Sequence, residues 1–352
     1  MLEPILDSRK PNWKLRVFCA ALGLSLIAGC LWIWRMTHMP LKSYNVPLQP
    51  LSNQESEIAA HVSADVRYLS QTLGERSLSR PESLVAATNY LRDSLQKTGY
   101  TVTEQTYSVA GNQVKNLEVV LIGSDANVGV VLVGAHYDSV SGTVGADDNA
   151  TGVAGTLELA RLLQGSKPRH TVRFVFFVNE EPPYFQTETM GSLVYARQLQ
   201  RDNVAVSAMI SLETLGFYSD AAGSQKYPPV LGWFYPDRGD FIAFVGNPDS
   251  RDLLHRSIRK FRDSTSFPSE GLAAPADWPG VGWSDHWSFW QAQYPAIMIT
   301  DTALFRNPYY HTPRDTADRL DFARMARVVG GVSRVVEALA MESLDTAQQK
   351  EP

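Results

Sequence analysis

Imidazole and carboxylate groups gather at the ends of apolar stretches in this chain. The run VGVVLVGAHYDSV carries His136 and Asp138 out of a hydrophobic segment, and GADDNATG, with Asp147 and Asp148, follows at once. Glu180 and Glu181 close HTVRFVFFVNEE, Glu213 closes NVAVSAMISLE, and His311 follows YPAIMIT after a short loop. One acid in such a place usually caps a helix or faces solvent. Four successive element ends bearing carboxylate or imidazole need another account, because converging like charges are costly unless a cation neutralises them. GAHYDSV, GADDNATG and VNEE contain no Lys or Arg, so the expected positive partner is a metal ion. Imidazole with carboxylate and without thiolate suits zinc; manganese and cobalt are chemically admissible.

The elements around these groups follow from their periodicity. Glu55 to Leu73 and Pro81 to Lys97 read as helices, the second opened by Ser79-Arg80-Pro81-Glu82. TVTEQTYSV alternates, and VKNLEVVLIG, VGVVLVGAHY, HTVRFVFFVN, NVAVSAMISL and YPAIMIT are strand-like. Helices are expected near Ala150 to Leu163, in GSLVYARQLQ, in RDLLHRSIRKF and in LDFARMARVVGGVSRVVEALA. Apolar strands alternating with helices predict an α/β fold whose mostly parallel central sheet is flanked by helices on both faces. Ligands of such sheets gather beyond the carboxyl ends of the strands, where the acids lie. Residues 217–286, rich in Pro, Gly and Trp, read as an insertion or a long wall beside the site.

Composition narrows the class. A net charge of -5 over 352 residues, with no basic stripe, argues against a nucleic-acid partner. No 20- to 50-residue period repeats, which argues against a solenoid. The two cysteines, Cys19 and Cys30, both lie in the N-terminal apolar segment, which excludes a disulfide framework or a thiolate zinc site in the body. That segment, Val17 to Trp34, contains no charge, and its 18 residues are at the short limit for spanning a bilayer. Arg9, Lys10, Lys14 and Arg16 precede it and Arg35 and Lys42 follow, which favours an inside N-terminus and an extracytoplasmic body. Ile27-Ala28-Gly29-Cys30 resembles a bacterial lipobox, so lipidation of Cys30 is the alternative to an uncleaved signal anchor. The expected organisation is a basic segment 1–16, a transmembrane anchor 17–35, a linker 36–54 and one domain 55–345.

GAHYDSV, GADDNATG, VNEE, the acid after the next strand and YHTPRDTAD together resemble the zinc-dependent exopeptidases of the M28 peptidase family, over roughly residues 110–340. The resemblance implies a zinc-exopeptidase (phosphorylase/hydrolase-like) architecture, two zinc ions per chain and hydrolysis of peptides at a free N-terminus. It implies that His136 and Glu213 hold a first metal, that Glu181 and His311 hold a second, and that Asp148 bridges both. Glu180 matches the general base. Asp138 matches the carboxylate that orients His136 through its other ring nitrogen, and Tyr310 a tyrosine that polarises the scissile carbonyl. The family usually has Asp where Glu213 stands, and Glu is longer by one methylene. Asp147 reads as a loop-shaping neighbour, Asn149 and Thr151 as loop or helix-start residues, and His286 as a structural or pocket-lining residue. Trp283, Trp287, Phe289, Trp290 and Phe305 read equally as an apolar, aromatic pocket or as core. Glutaminyl-peptide cyclases, carboxypeptidases of related fold, for which Arg306 or Arg314 would bind a carboxylate, and non-catalytic peptidase-like ectodomains are the alternatives. The sequence sets neither the preferred N-terminal residue nor the oligomeric state.

Overall fold

The structure, a computed structural model, describes residues 13–342. Part of the expected basic segment, residues 1–12, and the last residues of the expected domain, 343–345, lie outside the described residues. The chain divides at His38 into two units. The first contains helix α1 (Trp13–Thr37), in which the 22 residues Arg16–Thr37 are long and apolar enough to cross a membrane. Cys19 and Cys30 are free and exposed on it.

The second unit is built on an eight-stranded sheet in the order β1-β2-β4-β3-β5-β8-β6-β7. Its strands are β1 (Thr103–Val109), β2 (Asn112–Leu121), β3 (Val130–His136), β4 (Val172–Phe177), β5 (Val206–Glu213), β6 (Ile242–Gly246), β7 (Ser269–Ala273) and β8 (Ala296–Thr300). The centre, β4-β3-β5-β8, is parallel, whereas β1-β2, β2-β4 and β6-β8 pair antiparallel, so the sheet is mixed. Every residue of β3 is buried, as a strand covered on both faces requires. Its side chains alternate. Val131, Val133 and Ala135 enter the larger core, which includes side chains of α2 (Asn53–Arg67), α3 (Pro81–Lys97), α4 (Gly152–Leu163), α6 (Arg251–Ser264) and α8 (Phe322–Met341). Val130 and Leu132 enter the smaller core beneath α5 (Gly191–Arg201) and α7 (His286–Gln291).

Two regions depart from the sequence reading. Residues 217–286 do more than wall the site, because they supply β6, α6 and β7 and so extend the sheet. The strands are only five residues each, set among turns, so their alternation is too short to stand out. The linker is also tied down. Arg262 donates to the carbonyls of Pro40 (3.1 Å) and Leu41 (2.8 Å), the Ser269 N–H donates to Ser43 Oγ (2.9 Å), and Arg327 donates to the Gln49 carbonyl. Basic side chains thus satisfy carbonyls of the linker, and its Ser43 hydroxyl satisfies an N–H at the sheet edge.

Candidate metal centre

The parallel register places the carboxyl ends of β3, β4, β5 and β8 side by side, and the acids and imidazoles converge there. His136 is the last residue of β3 and Glu213 the last of β5; Glu180 and Glu181 leave the end of β4. Asp148 comes from the turn Ala146–Thr151 ahead of α4, which contains a cis Asp148–Asn149 peptide. Two glycines permit that turn. Gly145 sits at φ +52°, where a Cβ would lie 2.3 Å from the Asp148 carbonyl oxygen. Gly152 starts α4 so close to β5 that a Cβ would lie 2.3 Å from the Leu212 carbonyl oxygen and 2.4 Å from Asn149 Oδ1.

Two donor clusters share one carboxylate. Nε2 of His136 lies 3.3 Å from Asp148 Oδ1 and 3.2 Å from Glu213 Oε2. Nε2 of His311 lies 2.9 Å from Asp148 Oδ2 and 3.2 Å from Glu181 Oε2. Donor atoms of His136, Asp148 and Glu213 lie within 4.8 Å of one another, as do those of Asp148, Glu181 and His311. Asp148 therefore turns one oxygen to each imidazole. A third grouping, His136 with Glu180 and Glu181, meets the same distance test, but Glu180 Oε2 stands further off, 3.9 Å from His136 Nε2. His136 Nδ1 and Nε2 are buried and make no hydrogen bond among the described residues. Buried polar atoms are normally satisfied, so an unpartnered imidazole in a set of two imidazoles and three carboxylates fits divalent cations among them. The three carboxylates of the donor clusters and Glu180 would also be matched in charge by two such ions.

The electrostatics describe the same crowding. Burial alone would lower the His136 pKa, but Glu213 and Glu180 raise it well above the ordinary value. Burial would likewise lower His311, whose side chain is 31% exposed, yet hydrogen bonding to Asp148 and Glu181 pushes it up to about 10. Burial and the charge of Asp148 push Glu181 up to about 8, and burial with the charges of Glu181 and Glu213 holds Glu180 well above its usual range. Against its burial, Asp148 is held low by both imidazoles. Each group is set by a neighbour of opposite or like sign a few ångströms away.

A second layer orients these side chains. Asp138 accepts the backbone N–H of Glu180 (3.2 Å) and of Glu181 (3.1 Å), and its Oδ1 lies 3.5 Å from His136 Nδ1. Glu181 accepts the Val140 N–H (3.1 Å). Glu213 accepts from Ser284 Oγ at 2.7 Å and faces Asn149 Nδ2 at 3.4 Å. Asp147 turns away from the donor clusters and accepts the Gly216 N–H and Asn307 Nδ2. His286 also stands outside the clusters: it is buried, donates to the Val281 carbonyl (2.7 Å) and meets the Trp290 ring edge-on. Tyr310 stacks on His311 with ring centroids 3.9 Å apart.

Three residues with no role in the sequence reading are part of this layer. Arg76 is fully buried and donates to the carbonyls of Leu69, Gly74, Tyr137, Val144 and Gly145. Burial lowers its pKa to about 10, which leaves it a cation at neutral pH. It comes from outside the acidic motifs and is spent on carbonyls, so the cluster keeps its excess of negative charge. Asp315 accepts the N–H groups of Asp147 and Asp148. It stands in YHTPRDTAD, but only the fold shows what it reaches. Ser284, the third, lies in the SDH stretch beside His286.

The site opens on an apolar cleft with Glu213 and Tyr310 on its wall and Phe241, Phe244, Val245, Leu272 and Met298 around it. Of the aromatics left between pocket and core, Trp283 and Phe305 line this cleft, Phe289 is fully buried, and Trp290 packs against the smaller core. Arg306 is buried against the Phe241 ring (4.6 Å) and donates to Gln225 Oε1, while Arg314 lies over Tyr309 (4.7 Å). Neither is arranged as a carboxylate clamp at the donor clusters.

The chain is similar to known proteins over much of its length. The model of peptidase family M28 matches residues 116–336. An uncharacterized protein of Escherichia coli K12, YfbL, is 42% identical over 298 residues, covering 81% of this chain and 91% of that protein. The probable aminopeptidase YDR415C of Saccharomyces cerevisiae is 27% identical, over 60% of this chain and 54% of its own length, so this chain spans about half of that relative. Among solved structures, BSAP, a zinc aminopeptidase from Bacillus subtilis, superposes with a TM-score of 0.62 at 15% identity, covering 84% of this chain and 97% of that one.

Proposed function

We propose, for a chain that belongs to peptidase family M28, that it is a metallo-aminopeptidase removing single residues from peptides with a free N-terminus. The observation that carries this reading is the pair of donor clusters sharing Asp148, with Glu180 beside them at the head of an apolar cleft. His136, Asp148 and Glu213 would hold one zinc ion and Asp148, Glu181 and His311 another, and together the ions would polarise the scissile carbonyl and acidify the attacking water.

The protein's own groups do the rest. Glu180 makes no side-chain hydrogen bond among the described residues and is not fully enclosed, so it is free to take a proton from water and return it to the leaving amine. Tyr310, kept protonated by burial and by the surrounding carboxylates, donates to the developing oxyanion. Asp138 fixes both ends of the apparatus: it holds the backbone of the Glu180–Glu181 pair and faces the rear nitrogen of His136. Glu213 reaches its position with help from Ser284, which accommodates the longer side chain. The α1 helix anchors the chain in a membrane as a single span, with the body on the extracytoplasmic side.

The test is a panel of free-amino, N-blocked and N-terminal Gln peptides, run with elemental analysis of the purified chain. Two zinc ions and cleavage restricted to free-amino peptides support the reading. One zinc with pyroglutamate formation assigns a cyclase instead, and a metal-free, inert protein after zinc addition assigns a binding ectodomain.

A further inference from the structure

The β7 edge of the sheet, where the linker docks, carries an exposed aromatic turn. β7 pairs only with β6, so its outer edge is open, and two segments dock on it. Ser43 of the linker accepts the Ser269 N–H, and two residues along, Tyr235 donates to the Gly271 carbonyl (2.7 Å). Two residues of a strand span roughly 7 Å. Met39 is buried over Gly271, where a Cβ would lie 2.7 Å from its Cγ and Sδ. Met39 stands two residues after Thr37, the last residue of α1, a distance of at most about 7 Å of backbone. Chain connectivity alone therefore brings the β7 edge to wherever α1 leaves the bilayer.

Tyr235 ends a turn whose outer side is apolar. Trp233 is 83% exposed, and Val230 and Phe234 are each 47% exposed. Tyr227 and Tyr235 stack beneath it with ring centroids 5.7 Å apart, which makes it a braced projection. Tryptophan and phenylalanine side by side in water are unfavourable, whereas at the headgroup level of a bilayer they are well placed.

We infer that the Val230–Phe234 turn is a second membrane contact, inserted in the bilayer interface beside the α1 anchor. The inference rests on α1 spanning the membrane and not on the peptidase reading. Its functional consequence is geometric: Tyr227, Leu231 and Tyr235, on the inner side of the same turn, line the apolar cleft. The wall of the cleft is thus held against the lipid surface; only the further consequence, that the site serves N-termini of peptides lying on that surface, rests on the peptidase reading.

The experiment uses the full chain carrying Cys19→Ser and Cys30→Ser, reconstituted in phosphatidylethanolamine–phosphatidylglycerol vesicles. A nitroxide is attached at Gly232→Cys, which leaves Trp233 and Phe234 intact; the control is Ile122→Cys, 80% exposed and six strands across the sheet. Electron-spin power saturation with oxygen and with a water-soluble nickel chelate reads depth. At Gly232→Cys, nickel accessibility is expected to be several-fold lower than at Ile122→Cys and oxygen accessibility higher, with the difference lost when Trp233→Ser and Phe234→Ser are added. Equal nickel accessibility at the two positions, in chains that stay with the vesicles after alkaline carbonate, overturns the contact. Dipolar broadening at Gly232→Cys overturns it in favour of a second copy of the chain. Release by carbonate overturns the span and the contact together.

Discussion

Glu180→Gln separates the two adjacent glutamates that leave β4. The substitution keeps the side chain's length and leaves untouched the backbone N–H held by Asp138 at 3.2 Å. What it removes is a carboxylate 3.9 Å from His136 Nε2, with Glu181, Glu213 and Asp285 as acidic neighbours. Loss of a positioned general base costs about 10²- to 10⁴-fold in rate. At about 1.4 kcal/mol per factor of ten, that is roughly 3 to 5 kcal/mol of activation free energy. Removing one of several crowded carboxylates relieves repulsion, so the thermal midpoint of the metal-depleted protein should hold or rise. Glu181→Gln is the contrasting variant, because Glu181 lies 3.2 Å from His311 Nε2 and accepts the Val140 N–H. The assay pairs kcat on leucine p-nitroanilide with zinc content by elemental analysis. Glu180→Gln is expected to keep its zinc and lose kcat, and Glu181→Gln to lose zinc. If Glu180→Gln retained kcat within tenfold, or shed metal while Glu181→Gln kept it, the assignment of base and ligand would be refuted.

Three further expectations follow from other parts of the site. Asp138→Asn should weaken zinc binding about 10- to 100-fold, read by competition with a chromogenic chelator; unchanged affinity would remove Asp138 from its orienting role. Gly152→Ala should destabilise the body by about 1–3 kcal/mol in urea, because its Cβ would meet the Leu212 carbonyl oxygen at 2.3 Å; an unshifted midpoint would refute the tight approach of α4 to β5. His286 is buried and neutral, its pKa lowered by burial to about 4 from 6.5. The unfolded chain then binds the extra proton first, so this contribution is complete above pH 6.5 and fades as pH falls toward 4. It amounts to about 3 kcal/mol in full, about 2 kcal/mol of it lost by pH 5. Urea titrations of wild type and His286→Gln should differ in pH slope by that amount, and parallel slopes would sink the argument.

Much of the site could be read in advance because its residues sit at sharp changes of pattern. β3, β4 and β5 are apolar runs that end abruptly in His136, in Glu180–Glu181 and at Glu213, so the change itself marks the strand end. α3 begins at Pro81, where a first-turn proline predicts it, and ends at Lys97. Arg76 gives no such signal. It lies in a short polar stretch, and its importance comes from carbonyls up to 69 residues away. Asp315 meets the Asp147 N–H across 168 residues of sequence, a relation no local pattern contains. β6 and β7 escaped for a different reason: five residues among prolines and glycines carry too little alternation to separate strand from loop. The docked linker is similar, since its order is set by Arg262 and Arg327 in distant helices.

Arg76 also decides how the site loosens. Its guanidinium joins carbonyls of two segments, Leu69 and Gly74 at the end of the first helical region and Tyr137, Val144 and Gly145 of the 137–146 loop; its own backbone pairs with Ser139 in both directions. A local opening of either segment would strand a buried cation, so the two must open as one cooperative unit. Amide hydrogens of the 137–146 loop should therefore exchange as slowly as those of the helices behind it, in contrast to an ordinary surface loop. The 137–146 loop is thereby expected to fluctuate with the helices and not as a separate surface segment.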